Sequence, residues 1–302
     1  MTRQPILCVG ALTLDTIFDM SELPVGPSKF IPRGAVQNAA GMASSAATAI
    51  ARLGAHAALW ASVGDDATGE RLVREIAAES VDCSAVRVVP GARSAFATIL
   101  VDQNGDRVIV PHYDPALLTA PDRGPDINAA IYAAVMTDVR WPLAAAWALS
   151  AARQAGMVAI LDADVAPLET LQLLLPLASH VVASEPAAER LTGSSAPGEA
   201  VVRLAALHPG FVAVTAGDTG VYWFDRDDKV VRHWPAPKAV VKDTLAAGDV
   251  FHGAFALGLV EGWSMDRIMA FASMAAAIKC ERFGGRLGAP TRAEVDARLL
   301  AS

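Results

Sequence analysis

The chain is poor in cysteine, aromatic residues and charge. Cys8, Cys83 and Cys280 are its three cysteines in 302 residues, odd in number and far apart. They make neither a disulfide framework nor a zinc spacing, and they suggest a reducing, cytoplasmic compartment. No basic run occurs, and 25 Lys and Arg against 32 Asp and Glu leave a net charge of −7. A nucleic-acid backbone is therefore excluded as a natural partner. No apolar run reaches the ~18 residues of a membrane span. The opening MTRQPILCVGALTLD has too short an apolar run for a signal peptide. Gly-x-Gly-x-x-Gly after the first strand and Gly-x-x-x-x-Gly-Lys-Ser/Thr are both missing, which argues against a nicotinamide enzyme and a Walker-type kinase.

What is present is apolar and largely alanine. Hydrophobic residues make up 53% and charged ones 19%, enough to build a large core and far from a disordered composition. Short buried-strand runs alternate with helical stretches: Ile6–Val9, then Ser44–Leu53, Ala57–Val63 and Thr68–Ser80. After a break come Ala133–Thr137, Pro142–Ala155, Val158–Asp162, Leu168–Leu177 and His180–Ala183. This predicts an α/β fold with a mostly parallel central sheet flanked by helices. Phe211–Thr215 and Gly220–Phe224 read as further strands, and helices are expected from Ala247 and over Met265–Arg282. Two segments break the alternation, 16–37 with three prolines and 94–113 with strands flanking Asn104-Gly105. They predict a small β lid on a single domain spanning 1–302.

The chemistry concentrates in Asp243-Thr244-Leu245-Ala246-Ala247-Gly248-Asp249, followed by an apolar helix. Small residues let a ligand approach the backbone. The free amides and dipole of a helix N-terminus favour an anion. Asp249 within that turn would repel phosphate, but is well placed to take a proton from a hydroxyl attacking phosphorus. The dipole is expected to lower its pKa.

This segment resembles the C-terminal signature of the ribokinase-like, or PfkB, carbohydrate kinases, met at Asp243, Thr244, Ala246, Ala247, Gly248, Asp249 and Gly253. The resemblance extends over nearly the whole chain and implies an ATP-dependent sugar kinase with Mg²⁺. Asp249 is then the base, and the amides of Ala246, Ala247 and Gly248 stabilise the transferring phosphoryl group. On the sugar side it implies Asp15, Gly41 and Ser45, the last standing where the family has asparagine. On the nucleotide side it implies Thr215, Gly217, Gly220 and Gly285. The family's metal-associated Asn-x-x-Glu is replaced by Ser184-Glu185-Pro186-Ala187, which leaves Glu185 and Glu189 as acids able to hold Mg²⁺ through water. Members activated by K⁺ hold it beside the loop that begins at Asp243. Asp138-Val139-Arg140-Trp141, Val250-Phe251-His252-Gly253 and Lys279-Cys280 through Gly284-Gly285-Arg286 are similar to the sulfofructose kinase branch. That branch implies transfer to the 1-hydroxyl of 6-deoxy-6-sulfofructose, with the sulfonate held by Lys29 and Arg140. The branch's lid asparagine is Pro111 here, leaving His112 beside it as the substitute. On its own, Lys29 reads as a solvated lysine, and Arg140 as one half of an ion pair with Asp138 or another acid. The alternatives are a fructokinase- or ribokinase-like enzyme and a non-catalytic sugar or nucleotide sensor. A two-stranded lid is marginal alone, so a homodimer through the lid is expected.

Overall fold

The computed structural model describes residues 4–301. The chain runs through β1 (Ile6–Gly10), β2 (Thr13–Asp19), β3 (Gly34–Ala40), α1 (Met42–Arg52), β4 (Ala57–Gly64) and α2 (Ala67–Ala77). Then come β5 (Val81–Asp82), β6 (Arg87–Val89), β7 (Phe96–Val101), β8 (Arg107–His112), β9 (Ala134–Thr137), α3 (Pro142–Gln154) and β10 (Val158–Ala163). After α4 (Leu168–Leu174) follow β11 (His180–Ser184), α5 (Glu185–Thr192), α6 (Pro197–Leu207), β12 (Phe211–Thr215), β13 (Val221–Asp225) and β14 (Val230–Trp234). The chain closes with α7 (Ala247–Val260), α8 (Met265–Cys280) and α9 (Arg292–Leu300).

The central sheet has the order β14-β13-β12-β11-β10-β9-β1-β4-β5, with β6 also beside β4. Every pair from β12 to β5 is parallel, while β13 and β14 are antiparallel. The parallel strands are covered on both faces and read as unbroken apolar runs. In β1, Ile6 and Cys8 join one core layer and Leu7 and Val9 the other. The first layer is packed by α1, α7 and α8, and the second by α3 to α6. Alanine lets α1 and α7 approach closely: a Cβ on Gly253 would lie 2.7 Å from the Ala46 carbonyl oxygen.

Elements absent from the sequence-based expectation include α5 and α6, whose prolines stand in the first turn. There the missing N–H removes no helical bond, so each proline starts its helix. A capping box joins Thr291 and Glu294 at the start of α9.

The lid has four strands, not two. β2 and β3 are antiparallel, β2 and β7 parallel, and β7 and β8 antiparallel. The strands of the first lid segment begin at Thr13 and end at Ala40, outside the bounds of 16–37, because β2 continues almost directly from β1. One face of the lid packs Ile17, Ala97, Ile99 and Val101 toward Leu245 and Phe283. The other carries Phe96, Val108 and Val110 into solvent. Among the described residues no helix is long and apolar enough to cross a membrane.

Candidate active site

A cleft of about 1190 Å³ lies between the lid and the C-terminal ends of the parallel strands. That is where parallel sheets expose unpaired strand ends and helix N-termini to ligands. Thr13, Asp15 and Ile17 project into it from alternate positions of β2. Gly41 and Ser45 contribute from the start of α1, and Arg140 from the segment after β9. Thr215, Gly217 and Gly220 line it from the end of β12 and the turn into β13, Glu185 from the start of α5, and Gly285 from beside Leu245 and Ile17. Ala246, Ala247, Gly248 and Asp249 line it from the start of α7.

Local backbone geometry explains several of these residue types. Gly41 has φ +110°, and a Cβ there would lie 2.6 Å from the Ala11 carbonyl oxygen. Ala246, at the N-cap of α7, has φ +63°. This is the left-handed region that costs an alanine more than a glycine. The first intrahelical bond of α7 runs from Val250 N to Ala246 O at 3.0 Å. The Ala247 amide already donates to Thr244 O at 3.2 Å, so the full three-amide cradle is reduced at that position. Gly248 has open space where a Cβ would stand.

Burial and acidic neighbours shape the proton affinities. Asp249 is pushed well above the ordinary carboxylate range by burial, reinforced by Asp162, Asp164, Asp138 and Asp15. The expected lowering by the helix dipole is overturned, because desolvation and four negative neighbours outweigh a terminal partial charge. Asp15 is pushed up to about 6 by burial, against a hydrogen bond from Thr13 and the Arg286 charge. Asp162 is also raised, first by burial and then by Asp164. Beside it, His252 is held neutral-leaning by burial. Its Nδ1 lies 2.7 Å from Gly248 O, an acceptor, so the proton belongs on Nδ1. Its Nε2 lies 3.4 Å from Asp162 Oδ1. Nε2 is closer still to Val182 O, at 3.2 Å, so both ring nitrogens face backbone carbonyls. His252 is a buried, bonded helix residue.

Of the residues expected to hold a sulfonate, Arg140 lines the cleft, while Lys29 and His112 do not. Lys29 is exposed in the 20–33 loop and does not line the cleft. His112 belongs to the outer face of β8, against the Phe96 ring at 5.2 Å. Strand alternation turns Pro111 toward the cleft and His112 away from it. Arg140 pairs with Asp164, Nη2 to Oδ2 at 3.0 Å, and donates from Nη1 to Val165 O at 2.8 Å. Asp138 does not meet that guanidinium. Its carboxylate accepts the amides of Ala11, Ala43 and Arg140, tying the first loop, α1 and the end of β9 together.

Metal ligation is similarly spare. Glu185 lines the cleft, whereas Glu189, one turn further along α5, is exposed and does not line it. Among the described residues no cluster of three or more His, Cys, Asp or Glu is arranged to hold a metal ion. A Mg²⁺ ion carried by phosphates needs only one or two protein carboxylates, often through water, and Glu185 fits that demand. Asp243 faces away from the cleft. Its carboxylate accepts the amides of Leu245 (2.8 Å), Gly284 (2.9 Å) and Gly285 (2.8 Å), and meets Lys279 Nζ at 3.1 Å.

Sequence reasoning left Arg107 and Thr13 unassigned. Arg107, from the lid, donates to Thr244 Oγ1, which in turn donates to Gly105 O at 2.9 Å. The lid hairpin thus rests on the loop that precedes α7. The position of Asp162 and Asp164 at the end of a parallel strand was the available signal for their presence in the cleft.

Comparison with known proteins agrees with this architecture. The model of the pfkB family carbohydrate kinases matches residues 3–292. A ribokinase of Haemophilus influenzae is 28% identical over 263 residues, 84% of this chain and 85% of its own. Fructokinase-1 of Oryza sativa subsp. japonica is 28% identical over 280 residues, 84% and 86% of the two chains. A crystal structure from Agrobacterium tumefaciens, provisionally named a ribokinase, is 46% identical with a TM-score of 0.95, covering 99% of this chain and 98% of its own.

Proposed function

The chain belongs to the pfkB family of carbohydrate kinases, and we propose that it transfers the γ-phosphoryl group of ATP to a hydroxyl of a neutral ketose or pentose. The observation that carries the acceptor class is the charge of the sugar end. Asp15, Asp162 and Asp164 line it as acceptors for hydroxyls, while Arg140 is engaged by Asp164 and Arg286 by Ala39 O and Glu79. Hydroxyl recognition needs such acceptors, while a fixed anion beside them would meet repulsion.

Asp249 takes the proton of the attacking hydroxyl. Its raised proton affinity suits this, since a base works best with a pKa nearer the operating pH. The Gly248 amide and the α7 dipole stabilise charge on the transferring group, which preorganised dipoles do without reorganisation. Glu185, which lines the cleft, would hold Mg²⁺ through water, and the ion would supply charge neutralisation for the nucleotide phosphates. Thr215, Gly217 and Gly220 take the nucleotide side.

A second reading, 6-deoxy-6-sulfofructose as acceptor, is favoured by one observation: Arg140 lines the cleft and is a third exposed there. A sulfonate would have to replace Asp164 as its partner. The experiment is ATP-dependent phosphorylation of fructose, ribose and 6-deoxy-6-sulfofructose, with kcat/KM for each. Preference for a neutral sugar supports the first reading. Preference for the sulfonate replaces it with the second. No turnover with any of them, with ATP bound, would favour a sensor. The apolar outer face of the lid, with Val110 62% exposed, supports a homodimer through that face; a monomer mass in light scattering would refute it.

A further inference from the structure

The loop that leads into α7 rests on a cation that belongs to the chain. Lys279, in the last turn of α8, is completely buried, as is Asp243. Its Nζ lies 2.6 Å from Asp243 O, 3.1 Å from Asp243 Oδ2 and 3.3 Å from Arg282 O. Three oxygen acceptors match the three N–H bonds of an ammonium, where a neutral amine has two. The same Asp243 carboxylate collects the amides of Leu245, Gly284 and Gly285. One ion pair therefore fixes three segments at once: the approach to the α7 cradle, the end of α8 and the Gly284-Gly285 turn that lines the cleft.

A carboxylate oxygen and two backbone carbonyls form the kind of oxygen set that a hard monovalent cation takes. The K⁺ expected beside Asp243 does not fit here, because an ammonium already occupies those oxygens. A second positive charge at the same place would meet strong repulsion in a buried setting. We infer that the Lys279 ammonium stands in for a free monovalent cation and sets the cradle loop without K⁺. Lys279 is then a positioning residue, acting through Asp243 on the amides of the loop. This inference rests on the kinase reading only for its kinetic consequence; the structural consequence is independent of substrate.

The test compares the native chain and Lys279→Ala in KCl and in tetramethylammonium chloride, each at about 0.1 M ionic strength. Melting temperature and ADP affinity are read first, then turnover. The native chain should give the same values in both salts. Lys279→Ala should lose stability and ADP affinity in tetramethylammonium and regain both specifically with K⁺. Its kcat/KM for ATP should fall by about 100-fold without K⁺, the loss typical of a misplaced site. A K⁺-specific rise in melting temperature or ADP affinity of the native chain overturns the inference. So does a Lys279→Ala variant indifferent to K⁺. If Lys279→Ala fails to fold, the salt comparison on the native chain still decides. Failure of the kinase reading would appear as no turnover in either salt, with the melting comparison intact.

Discussion

Asp15→Asn separates the use of this carboxylate from its cost to the fold. The residue lies on β2, 6% exposed, with Thr13 Oγ1 donating to its Oδ1 at 2.7 Å. Burial pushes it up to about 6 from 3.8. A shift of that size corresponds to about 3 kcal/mol at 1.36 kcal/mol per pH unit. Because the folded-state value is raised, the folded chain binds the proton more tightly than the unfolded chain. Stability is therefore highest, with respect to this group, below pH about 4, and falls as pH rises to about 6. Above that the full penalty is present. Asparagine keeps the Oδ1 acceptor for Thr13 and removes the charge. The variant should melt about 5 °C higher than the native chain near neutral pH, given ΔS of unfolding for a chain of this size. The gap should close near pH 4. Thermal unfolding of both proteins across that range measures it, and sugar turnover should collapse in the same variant. A variant no more stable than the native chain at neutral pH, or a gap that does not change with pH, would refute the burial argument.

Asp249→Asn should lower kcat by about 10²–10⁴-fold, the range for a lost general base, while ADP binding by calorimetry stays near native. Near-native turnover would remove Asp249 from the base role. The native kcat should also decline on the acid side at a pH above the ordinary carboxylate range, because burial and acidic neighbours raise Asp249. Ala246→Gly relieves a left-handed alanine at the N-cap of α7 and should stabilise the fold by about 1 kcal/mol in urea unfolding. Destabilisation would mean that the Cβ makes contacts worth more than its strain.

The parallel core was legible because its strands are buried on both faces, so that Ile6–Val9 or Ala57–Val63 stand out as apolar runs. The Asp243–Asp249 segment was legible because its whole pattern resembles a family signature; small residues and an acid at a helix start would by themselves read as a capped helix. Less accessible were features set by long-range geometry. His112 and Pro111 are adjacent, and only the pairing of β7 with β8 decides which of them faces the cleft. Arg140 reads as half of an ion pair, but only the end of β10 decides that its acid is Asp164 and not Asp138. The dipole of α7 beside Asp249 is visible in the sequence, whereas the four carboxylates that face it come from three other segments. Lys279 looked like part of a local motif. Its partner lies 36 positions earlier in the chain.

The close contact of Gly253 with Ala46 has a consequence for how the reaction distance is kept. Asp249 stands one turn before Gly253 on α7, and Gly41 and Ser45 stand at the start of α1, just before Ala46. The spacing between the two helices therefore acts as a gauge block, in which the Gly253 backbone rests on the Ala46 carbonyl and the Ala49 methyl with no rotatable side chain between them. A gauge without rotamers has no slack to take up and no alternative length to adopt. Elsewhere in the core, mutation can be absorbed by repacking. At this crossing an added methyl would move the base relative to the sugar, so drift at this point changes the calibration of the enzyme before it changes its shape.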